Sequence, residues 1–357
     1  MKKRLFVCLH MMIDLLFILF LIWGCSSKDK DPENQIYQNP VFEPDLADPT
    51  WVRDQDGWFY AYGTENTWES GHQVVPVVRS RDLVNWSYVG QAFDKKPDWK
   101  DGWIWAPEIV YMNGEYVLYY AFSLWGDENP AIGYAVADHP EGPFADQGKL
   151  IDSESMNVVN SIDPSIFIED GTIYLIWGSL GGGIHGIQLG ADGKSIEGDK
   201  FRIAGTSFEA PYIYRKEGYY YLFVSTSTCC EGPNSTYRVV VGRSESFRGP
   251  YRTINGNYLS DYNDGWWPPE VDKIDGVILA GNTSFAGPGH NGQICTDDRG
   301  VDWFVYHAIE RTDPYLPKGA TRRPLCIDRI EWVDGWPVIN QGRGPSVTHD
   351  GKPFFDE

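Results

Sequence analysis

A five-bladed β-propeller, an all-β fold arranged around a central channel, follows from the amino-acid sequence on three grounds. The 357 residues contain 15 Trp, 21 Tyr and 17 Phe beside 38 Gly and 23 Pro, a mixture of strand formers and turn formers that leaves little room for long helices. One short pattern recurs five times: a Pro near the start of an apolar run, a Gly turn, then an aromatic-rich strand. The copies start roughly 46 to 81 residues apart, room for about four strands with their turns, which is the content of one blade. A two-sheet sandwich would use similar strands but gives no reason for a fivefold repeat.

In chain order, Lys2, Lys3 and Arg4 precede an apolar run over 5–23, and Gly24 precedes Cys25. Residues 1–24 therefore read as a lipoprotein signal peptide, with Cys25 the acylated first residue of the mature chain; an uncleaved membrane anchor is the alternative. Residues 25–38 are polar and aperiodic, a flexible tether, and 39–357 form the propeller. The repeats then begin at Asp48 (turn at Gly57), Trp105 (Gly114), Asp163 (Gly171), Glu209 (Gly218) and, more loosely, His290 (Gly300). Each reads as a hairpin of two strands. Further strand pairs, such as 74–80 with 86–90, complete the blades.

Thirty basic against fifty acidic residues give a net charge of −20, which excludes nucleic acid as a partner. Beyond Cys8 and Cys25 only Cys229, Cys230, Cys295 and Cys326 remain, too few for a disulfide scaffold and without the spacing of a zinc site. Cys229 and Cys230 read as two small buried thiols in preference to a vicinal disulfide.

The first strand of every propeller blade lines the channel, so equivalent positions converge on the axis. Here those positions carry Asp48, Trp105, Asp163, Glu209 and His290. Like charges crowded there repel, so a purely structural repeat would not choose three acids. Converging carboxylates without a phosphate loop or a nucleophilic Ser motif point to glycoside hydrolysis, in which one carboxyl protonates the leaving oxygen and another acts at the anomeric carbon. Glu108 competes for the acid role, but its offset of three residues from the lead position places it on the opposite strand face, further along.

The set Leu46-Ala47-Asp48-Pro49, Trp105-Ala106-Pro107-Glu108, Asn160-Ser161-Ile162-Asp163-Pro164-Ser165 and Glu209-Ala210-Pro211-Tyr212-Ile213 resembles family 43 glycoside hydrolases, five-bladed propellers, over about residues 39–337. Residues 219–225, Cys229 to Tyr237 and Gly287-Pro288-Gly289-His290-Asn291 are similar to the endo-arabinanases of that family. The resemblance implies inverting cleavage of α-1,5-linked L-arabinan, with Asp48 as general base, Glu209 as general acid and Asp163 as the group that orients Glu209 and adjusts its pKa. It also implies a channel metal, usually calcium, at His290, with His307 as second choice. Sugar contacts are expected from Trp105 by stacking, from Asn160 and Ser179 by hydrogen bonds, and from Trp177 near the cleft floor. Two other functions compete: an exo-acting arabinofuranosidase or xylosidase on the same fold, and a surface glycan-binding lipoprotein without catalysis. The expected location is the cell envelope, lipid-anchored to a bacterial membrane, the outer membrane first.

Overall fold

In the computed structural model, which describes residues 35–265 and 273–356, four of the repeats grow into four-stranded antiparallel sheets and the fifth into a five-stranded one. Residues 1–34, which include the expected signal peptide and Cys25, and the Trp266-Trp267-Pro268-Pro269 segment lie outside the described residues. Blade 1 consists of Thr50–Arg53, Phe59–Tyr62, Pro76–Ser80 and Ser87–Gln91; blade 2 of Trp103–Met112, Glu115–Ser123, Ala131–Ala137 and Ala145–Asp152. Blade 3 is Ser165–Glu169, Thr172–Trp177, Ile184–Leu189 and Ile196–Ala204, and blade 4 is Glu209–Lys216, Tyr219–Thr226, Arg238–Ser244 and Val277–Ala280. In blade 5 the inner strand is split into Phe285–Gly289 and Cys295–Thr296, both pairing with Asp302–Glu310, and Leu325–Val333 and Trp336–Ile339 follow.

The first hairpins turn where the repeat placed its glycines. Asn113-Gly114, Asp170-Gly171 and Glu217-Gly218 have positive φ at both residues, the conformation whose twist matches two-residue antiparallel hairpins.

Five apolar clusters fill the five blade interfaces, which explains the unbroken aromatic runs. A blade is packed on both faces, so successive residues of one strand enter different cores. Tyr220, Leu222 and Val224 pack toward blade 3, whereas Tyr221 and Phe223 pack toward blade 5. The ring closes between blades 5 and 1 through Phe59, Ala61, Val305 and Ile327. Ile36–Gln38, assigned from sequence to the tether, instead forms a short ladder with Thr348–Asp350. The Tyr37 hydroxyl donates to the Ile327 carbonyl at 2.8 Å, and the body of the protein therefore begins earlier than residue 39.

Candidate active site

Every blade enters the channel through a residue with a left-handed backbone: Asp48 (φ 53°), Ala106 (41°), Asp163 (56°), Ala210 (52°) and His290 (44°). The first four precede a proline, which disfavours the right-handed helical region for them. Left-handed φ costs a non-glycine residue about 1 kcal/mol or more, and such positions gather at functional sites. These five residues are the true equivalents. Trp105 and Glu209, expected at the lead position, stand one residue before it, on the near side of bulges at 105–108 and 209–212. A bulge puts an additional residue on one strand and re-aims the side chain beside it, which is how Glu209 reaches the channel mouth without sharing the register of Asp48 and Asp163.

Asp48 lies in a cationic and hydrogen-bonding nest. Arg323 donates to Oδ1 at 2.7 Å, Thr64 donates to Oδ2 at 2.6 Å, and His290 Nδ1 lies 3.2 Å from Oδ1. Burial alone would raise its pKa, but Arg323 with His290, His307 and Thr64 overcomes this and holds the carboxyl far below the usual carboxylate range. Arg323 is fixed in turn by Asp45, which is fully buried: Oδ1 accepts the Arg323 N–H at 2.7 Å and Oδ2 accepts from Asn66 at 3.0 Å.

Among the described residues no cation is in ion-pair contact with Glu209 or Asp163, and Arg323 acts on them only at a distance. Ser179 donates to Glu209 Oε2 at 2.8 Å and the Tyr237 hydroxyl also bonds this carboxyl. Asp163 Oδ2 accepts the N–H of Ala210 at 3.1 Å, gripping the backbone next to Glu209. Burial raises both pKa values; the charge of Glu209, then of Asp48, pushes Asp163 well above its ordinary value, and Asp48 adds to the rise at Glu209. The three carboxyls thus share one electrostatic environment, although they are far apart in sequence.

The two histidines differ. Asp48 donates its backbone N–H to His307 Nδ1 at 3.0 Å, so the proton of that neutral ring sits on Nε2, which is buried without a partner among the described residues. His290 can instead donate from Nδ1 to Asp48, leaving its Nε2 lone pair free, the arrangement in which a carboxylate orients an imidazole for a metal. His290 borders a small polar channel cavity with Glu108, Asp163, Asn291 and Gln293, and Asn291 Oδ1 is a buried acceptor lacking a partner. Among the described residues no group of three or more His, Cys, Asp or Glu forms a ligand shell. What the described residues offer a cation at this cavity is the Nε2 lone pair of His290 and the unpartnered Oδ1 of Asn291.

Glu108 is in the channel wall, where it accepts from Thr50 (2.9 Å), Gln293 (2.7 Å) and the Ile166 N–H (3.0 Å). Burial pushes it up to about 7. Of the expected sugar contacts, Trp105 is half-buried, its ring 5.7 Å from that of the exposed Trp125. Asn160 is buried with Nδ2 3.4 Å from the Leu180 carbonyl. Ser179 is fully buried with its hydroxyl committed to Glu209, so it positions the carboxyl and is not a free sugar donor. Trp177 cannot reach a ligand: it is 0% exposed in the core between blades 2 and 3, its indole N–H bonded to Ser161.

Cys229 and Cys230 are joined as a vicinal disulfide, contrary to the sequence reading. They occupy a part-exposed loop beyond Thr226, without the apolar packing that shelters the free thiols Cys295 and Cys326. Arg323, Thr64, Asp45 and Tyr237 were not anticipated. Asn234-Ser235-Thr236-Tyr237 belongs to the quoted resemblance, and Arg322-Arg323 is a basic pair beside an apolar strand, but neither pattern by itself announces a carboxylate partner.

The profile of Glycosyl hydrolases family 43 matches residues 37–337. The chain is 35% identical over 311 residues to the extracellular endo-alpha-(1->5)-L-arabinanase 1 of Bacillus subtilis, covering 82% of this chain and 87% of that protein. It is 33% identical over 328 residues to the extracellular exo-alpha-(1->5)-L-arabinofuranosidase ArbA of Cellvibrio japonicus, covering 83% and 87% respectively. The structure of Cellvibrio cellulosa alpha-L-arabinanase complexed with arabinohexaose superposes with a TM-score of 0.70 at 30% identity, over 85% of this chain and 97% of that one.

Proposed function

The chain belongs to the glycosyl hydrolases of family 43 and is a glycosidase, and from that premise we propose that it cleaves internal α-1,5-L-arabinofuranosidic bonds of arabinan with inversion. One observation carries the assignment of roles: two buried carboxyls of one cleft have opposite surroundings, Asp48 in contact with Arg323, which favours its ionised form, and Glu209 held by hydroxyls where burial and the charge of Asp48 raise its pKa and favour its protonated form. Asp48 takes a proton from the water that attacks the anomeric carbon. Glu209 gives its proton to the departing glycosidic oxygen, so negative charge moves from Asp48 to Glu209 in one turnover. Asp163 holds the Ala210 N–H beside Glu209, and negative charge on one of these two carboxyls opposes negative charge on the other. Inversion requires room for that water, with the two carboxyl groups roughly 6.5–9.5 Å apart. Trp105 offers a ring face for a sugar, and Asn160 the carbonyl of its buried amide.

A calcium ion in the channel would be met by His290 Nε2 and by water, with His307 excluded at Nδ1 by its bond from Asp48. Bound there, it would supply positive charge to the electrostatic environment of the carboxylates. Acylation at Cys25 would place the protein on a bacterial membrane, the outer membrane in the first instance. Gln35 lies beside Val84 and Asn85, in the turn that joins the last two strands of blade 1 on the side away from Thr64 and Asp48, so a tether of about ten residues would leave the cleft facing the medium.

Debranched arabinan and NMR of the first-formed anomer test this reading: β-arabinose ends should appear first, and an initial α-anomer would overturn inversion. Early release of an oligosaccharide ladder is expected; monosaccharide alone would make the enzyme exo-acting, as ArbA is named. Glu209→Gln should lower kcat about 10³-fold while arabinan binding persists, and unchanged turnover would remove Glu209 from the reaction.

A further inference from the structure

Blade 1 carries an insertion on the cleft side, a two-stranded hairpin of Asn66–Trp68 and Gly71–Gln73. It starts directly after Thr64, which holds Asp48, and Glu65, which is 4% exposed. Glu65 is fully bonded: Oε1 takes His72 Nε2 at 2.7 Å and Lys96 Nζ at 2.6 Å, and Oε2 takes the Ile104 N–H at 2.6 Å. The two groups gathered by this buried carboxyl flank one indole. The His72 ring meets Trp103 edge-on at 5.4 Å, and Lys96 Nζ lies 5.4 Å from the Trp103 ring centre. Trp103 itself remains 43% exposed. It stands two residues from Trp105 on the same strand, nearer the strand's open end, so it continues the cleft wall outward.

An exposed indole is a poor solvent-facing choice, and here a buried carboxylate is used to order the groups around it. Such preorganisation lowers the entropy lost on binding. The ring supplies an apolar face for the C–H side of a sugar, and Lys96, whose other contacts include the Gly102 carbonyl, has a third N–H for a hydroxyl. We propose that Trp103, framed by His72 and Lys96, is an outer sugar-binding platform that engages a pentose unit of a neutral chain several residues from the scissile bond. The proposal rests on the arabinan reading above and adds that long chains are preferred through this hairpin.

Calorimetry with arabinotriose and arabinohexaose tests it, in a Glu209→Gln background so that ligand is not consumed. Trp103→Ala should weaken hexaose binding about tenfold more than triose binding, His72→Ala should do so two- to threefold, and Trp103→Phe should keep most of the preference. Equal losses for both ligands, or none, would overturn the platform, and the His72 variant decides the matter if Trp103→Ala misfolds. If the Glu209→Gln protein binds neither oligosaccharide, the arabinan reading fails and this inference with it.

Discussion

Asp48 and Glu209 are both buried carboxyls at the mouth of one channel, yet the two sides of the cleft are built from opposite materials. The Asp48 side, between blades 5 and 1, brings a guanidinium, a threonine hydroxyl and two imidazoles to one carboxylate. The Glu209 side, between blades 3 and 4, brings a serine and a tyrosine hydroxyl and a second acid, Asp163. Desolvation disfavours charge on both sides; it is overcome only where Arg323 stands. The chemistry of a carboxyl in this fold is therefore set by what the neighbouring blade contributes, and removing one contribution should move one side without the other.

The largest such effect is expected at Arg323. Arg323→Met leaves Asp48 buried without its cation, so its pKa rises toward and beyond the ordinary carboxylate value and less of the ionised base is present. Because the folded pKa of Asp48 is depressed, the wild-type acid limb of kcat/KM is expected below the usual carboxylate range; in the variant that limb should move up in pH and the plateau should fall about 10²-fold. A pH–rate profile measures both, and an acid limb that stays in place would show that Arg323 does not control the base. Stability follows the same sign: the Asp48 contribution is present above the unfolded carboxylate pKa and is lost as pH falls through the depressed value.

Tyr237→Phe tests the other side with a smaller effect. The hydroxyl lowers the Glu209 pKa by bonding the ionised carboxyl, so its loss should raise the alkaline limb and reduce kcat roughly fivefold, the equivalent of one hydrogen bond. The acid limb, belonging to Asp48, should not move. A downward shift of the alkaline limb would break the assignment of Glu209 as the group that must remain protonated.

Much of this arrangement could be read from residue order. The repeated X-Pro step and the Gly turns mark inner strands and hairpins because each demands a backbone that few other residues tolerate, and the five left-handed entry positions are the physical form of that repeat. The one-residue offset of Trp105 and Glu209 escaped notice because a bulge changes the strand register without a distinct composition. The burial of Trp177 is not legible in the sequence, because in a strand packed on both faces the alternation of apolar and polar residues disappears, leaving no sign of which aromatic faces a cleft. Arg323, Asp45 and Tyr237 were missed because their partners lie 275, 278 and 28 positions away, and only the closed ring unites them.

Glu108 isolates the one factor common to both sides. It is as buried as Asp48, but neither a cation nor another carboxylate contributes to its shift; desolvation dominates and three donors oppose it, leaving it at about 7. Because the folded pKa is raised above the unfolded one, its contribution to stability is fully present below the unfolded value and is lost as pH rises through about 7. Gln at this position mimics the protonated acid, with one donating and one accepting arm, and cannot ionise. Glu108→Gln should therefore flatten the decline in stability between pH 5 and pH 8, a difference of roughly 2–3 kcal/mol by linkage, read as a smaller fall in denaturant midpoint at the higher pH. Parallel curves for the two proteins would mean that water or a cation in the channel cavity already neutralises Glu108, and that burial alone does not set the pKa of a carboxyl in this channel.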